Sequence, residues 1–220
     1  MLTAALVLPA CDSKADDAAP TEGDAQAKAD APAKPAAAAE PPQEKGPFEA
    51  LLERRVLAES GLGVGGKLSA FDILNPEAEK PYCQVCKYGP NPKLMAVGTA
   101  NDEAFRKDLK DLDAIVKKYG ADKVKAFAVI TDIDGGKATM PSDPEAAQAK
   151  AKALKAELGL DFPVVVPAPI TDGANPVWER YYNITTSRTF MFSDGANEVK
   201  YSAVEPEDFA ALGTAIEAVI

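Results

Sequence analysis

Apolar and polar positions alternate along most of this chain with two different periods, and the switches between them outline an α/β domain. Phe48, Leu51, Leu52, Val56 and Leu57 recur with charges between them, which predicts a short amphipathic helix over 48–58, ending at the glycine-rich stretch 61–66. Residues 68–74 alternate as a strand, and Leu94-Met95-Ala96-Val97-Gly98 reads as a buried one. Between them, glycine and prolines make 81–92 a loop with at most one helical turn. Asn101 stands as an N-cap with Asp102 and Glu103 in the first turn, and Phe105, Leu109, Leu112, Ile115, Val116 and Tyr119 follow at helical spacing. A strand over 124–131, an Ala/Lys-rich helix over 143–158 started by Ser142 or Asp143, and a strand over 162–166 come next. The pattern closes with a short helix over 176–182, two strands at 189–192 and 198–203 across an Asp194-Gly195 turn, and a helix over 205–219. Up to residue 166 the strands alternate with helices, and that order implies a parallel sheet with right-handed crossovers there.

Composition divides the chain sharply near residue 46. From Cys11 to Gly46 it holds no aromatic residue and no Ile, Leu or Val, so nothing there buries enough surface to offset the entropy of ordering. Residues 12–46 therefore read as a disordered Ala/Pro/Asp-rich tether, and 47–220 as one domain with ample apolar surface for a core. A tether of about 35 residues reaches roughly 30 to 35 Å as a flexible coil. The formal net charge is −10 without a compensating basic cluster, which disfavours a nucleic-acid partner. The chain contains no histidine, which removes imidazole acid/base chemistry, Ser-His and Cys-His nucleophiles and His-ligated zinc.

Residues 1–11 form a short apolar run ending in Leu8-Pro9-Ala10-Cys11, which resembles the end of a bacterial lipoprotein signal peptide. Leu8 stands three before the cysteine and the small Ala10 one before it, as that pattern asks, while Pro9 between them is less usual and a basic leading region is missing. The resemblance implies that Cys11 carries the lipid, that the chain attaches to a membrane through it, and that the domain lies in the cell envelope, periplasmic or outside the cell. Asp12 resembles an inner-membrane retention signal of some such lipoproteins. The run is far shorter than the roughly 20 residues needed to span a bilayer. The plainer reading is a soluble chain with an Ala-rich start and a chance cysteine.

With Cys11 assigned to lipid, Cys83 and Cys86 remain as an even pair suited to an oxidising compartment. A C-x-x-C is a redox pair, a structural disulfide or half of a metal site. The metal reading fails first, because no further Cys or His exists beyond Cys11, and no cofactor is expected. As a staple the pair closes a four-residue loop worth only about 2 kcal/mol, yet such a bridge still pins an irregular loop. Redox and structural use both stay open.

The element order together with the C-x-x-C resembles the thioredoxin-like superfamily, including its membrane-tethered and peroxiredoxin-like members, over about 66–220. Thr189-Phe190-Met191-Phe192-Ser193-Asp194-Gly195 is similar to the Thr-Phe-hydrophobic-hydrophobic-Asp-x-x-Gly run of these proteins, and 82–92 resembles a Cys-x-x-Cys-basic-Tyr-Gly-x-x-Pro stretch in bacterial thioredoxin-like envelope proteins. The resemblance implies a central mixed sheet flanked by helices and a thiol-disulfide oxidoreductase in which Cys83, if exposed, attacks a protein partner's sulfur and Cys86 resolves. The alternative is a noncatalytic binding or scaffold domain with a structural disulfide. Three departures stand out. The slot after the central strand, Thr99 to Asp102, has no cysteine; the Trp-Cys-Gly-Pro-Cys pattern is reduced to Tyr-Cys-Gln-Val-Cys; and Ser187-Arg188-Thr189 lacks the expected cis-proline. The peroxiredoxin Pro-x-x-x-Thr-x-x-Cys signature is also absent.

Lys80 and Lys87 flank the pair and would favour a thiolate modestly. Asp132-Ile133-Asp134-Gly135-Gly136 is read as a solvated turn in preference to a calcium loop, whose later ligands are missing. Trp178, Tyr181 and Tyr182 share helical spacing and read as core. Arg188 falls where the family lines its active-site rim, with a surface role as its default.

Overall fold

A computed structural model describes residues 46–220. Cys11, the signal-like segment 1–11 and the tether, apart from its last residue, lie outside the described residues.

The chain runs through α1 (Pro47–Glu53), β1 (Asp72–Leu74), β2 (Tyr82–Cys83), α2 (Gln84–Tyr88), β3 (Lys93–Gly98), α3 (Glu103–Tyr119), β4 (Lys125–Ile130), β5 (Asp132–Asp134), β6 (Lys137–Thr139), α4 (Pro144–Leu158), β7 (Val164–Pro167), a π-helical turn (Val177–Tyr181), β8 (Thr189–Ser193), β9 (Val199–Val204) and α5 (Ala210–Glu217). Seven strands form one mixed sheet in the order β2-β1-β7-β4-β3-β8-β9. Only β3 pairs β4, and β4 pairs β7, in parallel; the outer strands join antiparallel. The parallel pairing expected where strands alternate with helices thus holds for the three strands linked by α3 and α4, and the sheet as a whole is mixed, as the resemblance implies.

The strand period distributes side chains between two cores. Leu94 and Ala96 of β3 join Ala126, Ala128, Val164, Val166, Phe190 and Phe192 on one face, packed under Phe105, Leu109, Leu112 and Val116 of α3, Ala151 and Leu154 of α4, and Leu212 and Ile216 of α5. Met95 and Val97 point the other way, with Phe127, Val129, Val165 and Met191, against Leu62, Phe71, Val85, Trp178 and Tyr182. The aromatic residues expected as core are core: Trp178 stacks on Phe71 at 5.2 Å, and Tyr182 meets the same ring edge-on.

Several boundaries differ from the periodicity for local reasons. The first helix stops at Glu53, because Arg54 and Arg55 hydrogen-bond back by three residues and the chain then folds back on itself, Leu57 bridging Leu62. The strand expected over 68–74 is regular only from Asp72, where β2 and β7 supply partners. Asp102, and not Asn101, caps α3, its Oδ1 accepting the backbone N–H groups of Ala104 and Phe105; Asp143 caps α4 by accepting from Ala146. The 132–136 turn belongs to a small hairpin, β5–β6, with Gly135 and Gly136 both at positive φ as a two-residue loop demands. The last helix is shorter than its pattern, beginning at Ala210.

Two expectations follow from this packing. A Cβ on Gly98 would lie 2.7 Å from the Phe105 ring, so Gly98→Ala should destabilise by about 1–3 kcal/mol through overpacking, read as a lower urea midpoint with an unchanged slope. Burial raises the Asp194 carboxyl, but backbone N–H groups of Glu198 and Ala196 and the Lys200 ammonium outweigh it and hold it below its ordinary value. The folded state thus favours the ionised form, and this stability is present above the unfolded value near 4 and lost as pH falls through the lowered one. Asp194→Asn should flatten that acid-side loss in urea titrations between pH 6 and pH 2.5.

Candidate functional site

The two cysteines and the slot after the central strand lie on different parts of the sheet: Cys83 ends the edge strand β2, with β1, β7 and β4 between it and β3, whereas Thr99–Asp102 follows β3 itself. The C-x-x-C precedes Lys93, where β3 begins, and Thr99–Asp102 follows Gly98, where it ends.

Around the cysteines the expected loop is more ordered than its glycine and prolines suggest. Tyr82 and Cys83 form an edge strand in register with Ile73 and Asp72, and Gln84–Tyr88 is a single short helix. Cys83 is its N-cap: its Sγ accepts the Cys86 backbone N–H at 3.0 Å. The two sulfurs are bonded as a disulfide, with Cα atoms 5.2 Å apart. Cys83 is half-buried against the second core, whereas Cys86 is exposed. Of the two residues Cys86 is the more exposed, because Cys83 sits in the sheet edge and Cys86 on the helical turn.

This segment is fixed by groups other than sulfur. Val85 is buried, the Tyr82 hydroxyl accepts from Asn75 at 2.8 Å and donates to Gln84 at 2.7 Å, and the Tyr88 hydroxyl donates to the Ala126 carbonyl at 2.7 Å. Tyr88 also packs edge-on against Phe127. Burial, reinforced by Tyr82, pushes the Tyr88 phenol well above its ordinary value, with the neighbouring Gln84 amide opposing, so Tyr88 is a neutral anchor. Gly89 ends the turn at φ 55, a conformation glycine adopts without strain. The wholly buried Lys93 donates to the Gly89 carbonyl at 2.9 Å and to Asn197 Oδ1. Lys80 and Lys87 are exposed, and the Lys87 ammonium lies 4.8 Å from the centre of the Tyr82 ring.

In the slot after β3, a carboxylate occupies the place where the resemblance would put a thiolate. Asp102 Oδ1 accepts the first free N–H groups of α3, and its Oδ2 accepts the Ser187 hydroxyl at 2.7 Å. Ser187 in turn accepts the Thr99 N–H at 3.2 Å. Arg188 is not a free rim cation: its Nε donates to the buried Asp108 at 2.7 Å and its Nη2 to the Pro206 carbonyl at 2.9 Å. Where a cis-proline was missing from the sequence, Arg188 takes φ 58, and no cis peptide occurs among the described residues. The helix N-terminus is therefore neutralised internally.

Lys93, Asn197, Tyr88 and Gln84 did not stand out in the sequence. Lys93 leads an apolar run and is the one such position whose side chain has to find acceptors, but its partner lies 104 residues away, beyond any local pattern.

No protein-family model matches the chain, and no curated protein matches its sequence. Solved structures do. The thioredoxin domain of a thiol-disulfide oxidoreductase from Bacteroides vulgatus superposes with a TM-score of 0.53 at 14% identity, covering 72% of this chain and 99% of that one. A thiol-disulfide isomerase from Corynebacterium glutamicum gives 0.54 at 13% identity over 70% and 96% of the two chains. A hypothetical protein from Sinorhizobium meliloti gives 0.56 at 14% identity over 73% and 85%. A mixed sheet with three parallel central strands, a closing antiparallel hairpin and a C-terminal helix, shared at this level with these proteins, makes the domain over residues 46–220 one of thioredoxin-like fold.

Proposed function

We propose that this domain carries out thiol-disulfide exchange at Cys83–Cys86, working in the cell envelope on a tether anchored through lipid at Cys11. The carrying observation is that the bridge is not what holds its own loop. Four side-chain hydrogen bonds from Tyr82, Tyr88 and Lys93, at about 1 kcal/mol each, and the burial of Val85, at about 2 kcal/mol, exceed the roughly 2 kcal/mol of a four-residue disulfide loop. A bond that is dispensable for structure and ends in an exposed residue is suited to breaking and re-forming.

In the oxidised form a partner's thiolate attacks Cys86 Sγ, and the electron pair of the broken sulfur–sulfur bond passes to Cys83 Sγ. The Cys86 backbone N–H already points at that leaving sulfur. A second thiolate of the partner attacks its own bridging sulfur and displaces Cys86. The domain gains two electrons and two protons, and the partner becomes a disulfide. The reverse sequence reduces a partner disulfide. Lys80 and Lys87, both exposed, favour the thiolate forms only weakly.

One observation favours a second reading, a noncatalytic scaffold: the slot after β3 is closed by Asp102, Ser187 and the Arg188–Asp108 pair. Activity separates the two. Dithiothreitol-driven insulin reduction should be accelerated by the purified domain and lost in Cys83→Ser/Cys86→Ser, while that variant unfolds within about 2 kcal/mol of the parent. Unaltered turnover in the double variant, or unfolding on mild reduction with no exchange, rejects the exchange reading. For the anchor, a labelled fatty acid supplied to cells producing the full chain should appear on the protein and be lost with Cys11→Ser; equal labelling of both removes the lipid assignment.

A further inference from the structure

Beyond the exchange reading, and resting on it, we propose that Lys93 is a positioning residue for Cys86 and that the β8–β9 turn is part of the redox site through it. Lys93 is completely buried at the first position of β3, where it pairs Ser193 of β8 and Lys125 of β4. A buried ammonium is costly to desolvate, and an apolar side chain of similar length would fill the same space without that cost. Packing alone therefore does not account for a lysine here.

Its bonds do. The ammonium donates to the Gly89 carbonyl at 2.9 Å, and the same residue's N–H donates to the Cys86 carbonyl at 3.0 Å. Lys93 thus grips the last peptide of the turn that presents Cys86. Its second acceptor, Asn197 Oδ1, lies in the β8–β9 turn, where Asn197 adopts φ 64. That turn is itself rigid: Asp194 Oδ1 accepts the N–H groups of Ala196 and Glu198, both at 2.9 Å. Beside it the Pro90 carbonyl rests directly on Gly195, where a Cβ would stand only 2.3 Å from the oxygen. Gly195 is needed for this close approach; its φ is not in the left-handed region. The Asp-Gly signature that closes the hairpin is thus also the floor on which the cysteine loop sits. With the turn held, Cys83 and Cys86 stay within bonding reach after reduction, which favours re-forming the disulfide.

The test uses the oxidised and reduced protein equilibrated with glutathione, comparing wild type with Lys93→Met, Asn197→Gly and Gly195→Ala. Asn197→Gly keeps the positive φ while deleting one acceptor, and serves if Lys93→Met does not fold. Leu212→Ala, in the opposite core, is the control for lost stability alone. Lys93→Met and Gly195→Ala should move the equilibrium toward the dithiol by about tenfold, about 30 mV for two electrons, Asn197→Gly in the same direction by less, and Leu212→Ala not at all. The chemically reduced variants should also differ from wild type in the rate at which iodoacetamide alkylates Cys86. Folded seat variants with the wild-type equilibrium and alkylation rate overturn the proposal, as does an equal shift in Leu212→Ala. Should wild type fail to equilibrate with glutathione, the exchange reading falls, and the alkylation comparison alone decides whether the seat positions Cys86.

Discussion

The structure depends on β3 being sealed on every side. All six of its residues are buried, both edges are bonded, and its side chains feed two separate cores. Such a strand leaves only its ends available for chemistry, and the slot after its last residue is satisfied from within. The redox-capable pair sits apart from it, on the edge strand β2 and the helical turn that follows, where Cys86 is exposed.

That asymmetry has an electrostatic basis. A long helix such as α3 presents unpaired N–H groups and positive potential at its start, which stabilises a thiolate placed there. Here the Asp102 side chain already accepts those N–H groups, and the Ser187 and Arg188–Asp108 contacts bind the loop before β8 to the same helix. The cysteine pair, by contrast, sits on one helical turn, where a single N–H reaches sulfur and the dipole is slight. Exchange at this pair, as proposed, relies on exposure and on the firmness of the scaffold beneath it.

The elements that bury a continuous stripe were legible in the sequence. The apolar spacing of α3, the buried run of β3 and the Asp194-Gly195 hairpin all reported tertiary position faithfully, because each obeys its own period and turn chemistry. The fold class followed from their order. The Cys83–Cys86 spacing was visible too, but which cysteine is the more exposed was not: it depends on Ile73 and Asp72 drawing Tyr82 and Cys83 into the sheet edge. Likewise the glycine and prolines after Cys86 suggested an irregular loop, whereas Tyr88, Lys93 and Asn197 order it through contacts far apart in sequence. Arg188 could not be read as an ion-pair partner because Asp108 lies on a different element, on a helix face that periodicity alone leaves polar.

The chain's single tryptophan has a practical corollary. Trp178 is fully enclosed within the π-helical turn, stacked on Phe71 and sharing a core with Val85 of the cysteine turn. Its indole senses an apolar, closely packed surrounding, so emission from this one fluorophore reports the integrity of the layer beneath the disulfide without any added label, in a protein whose opposite layer contributes only the weaker signals of phenylalanine and tyrosine.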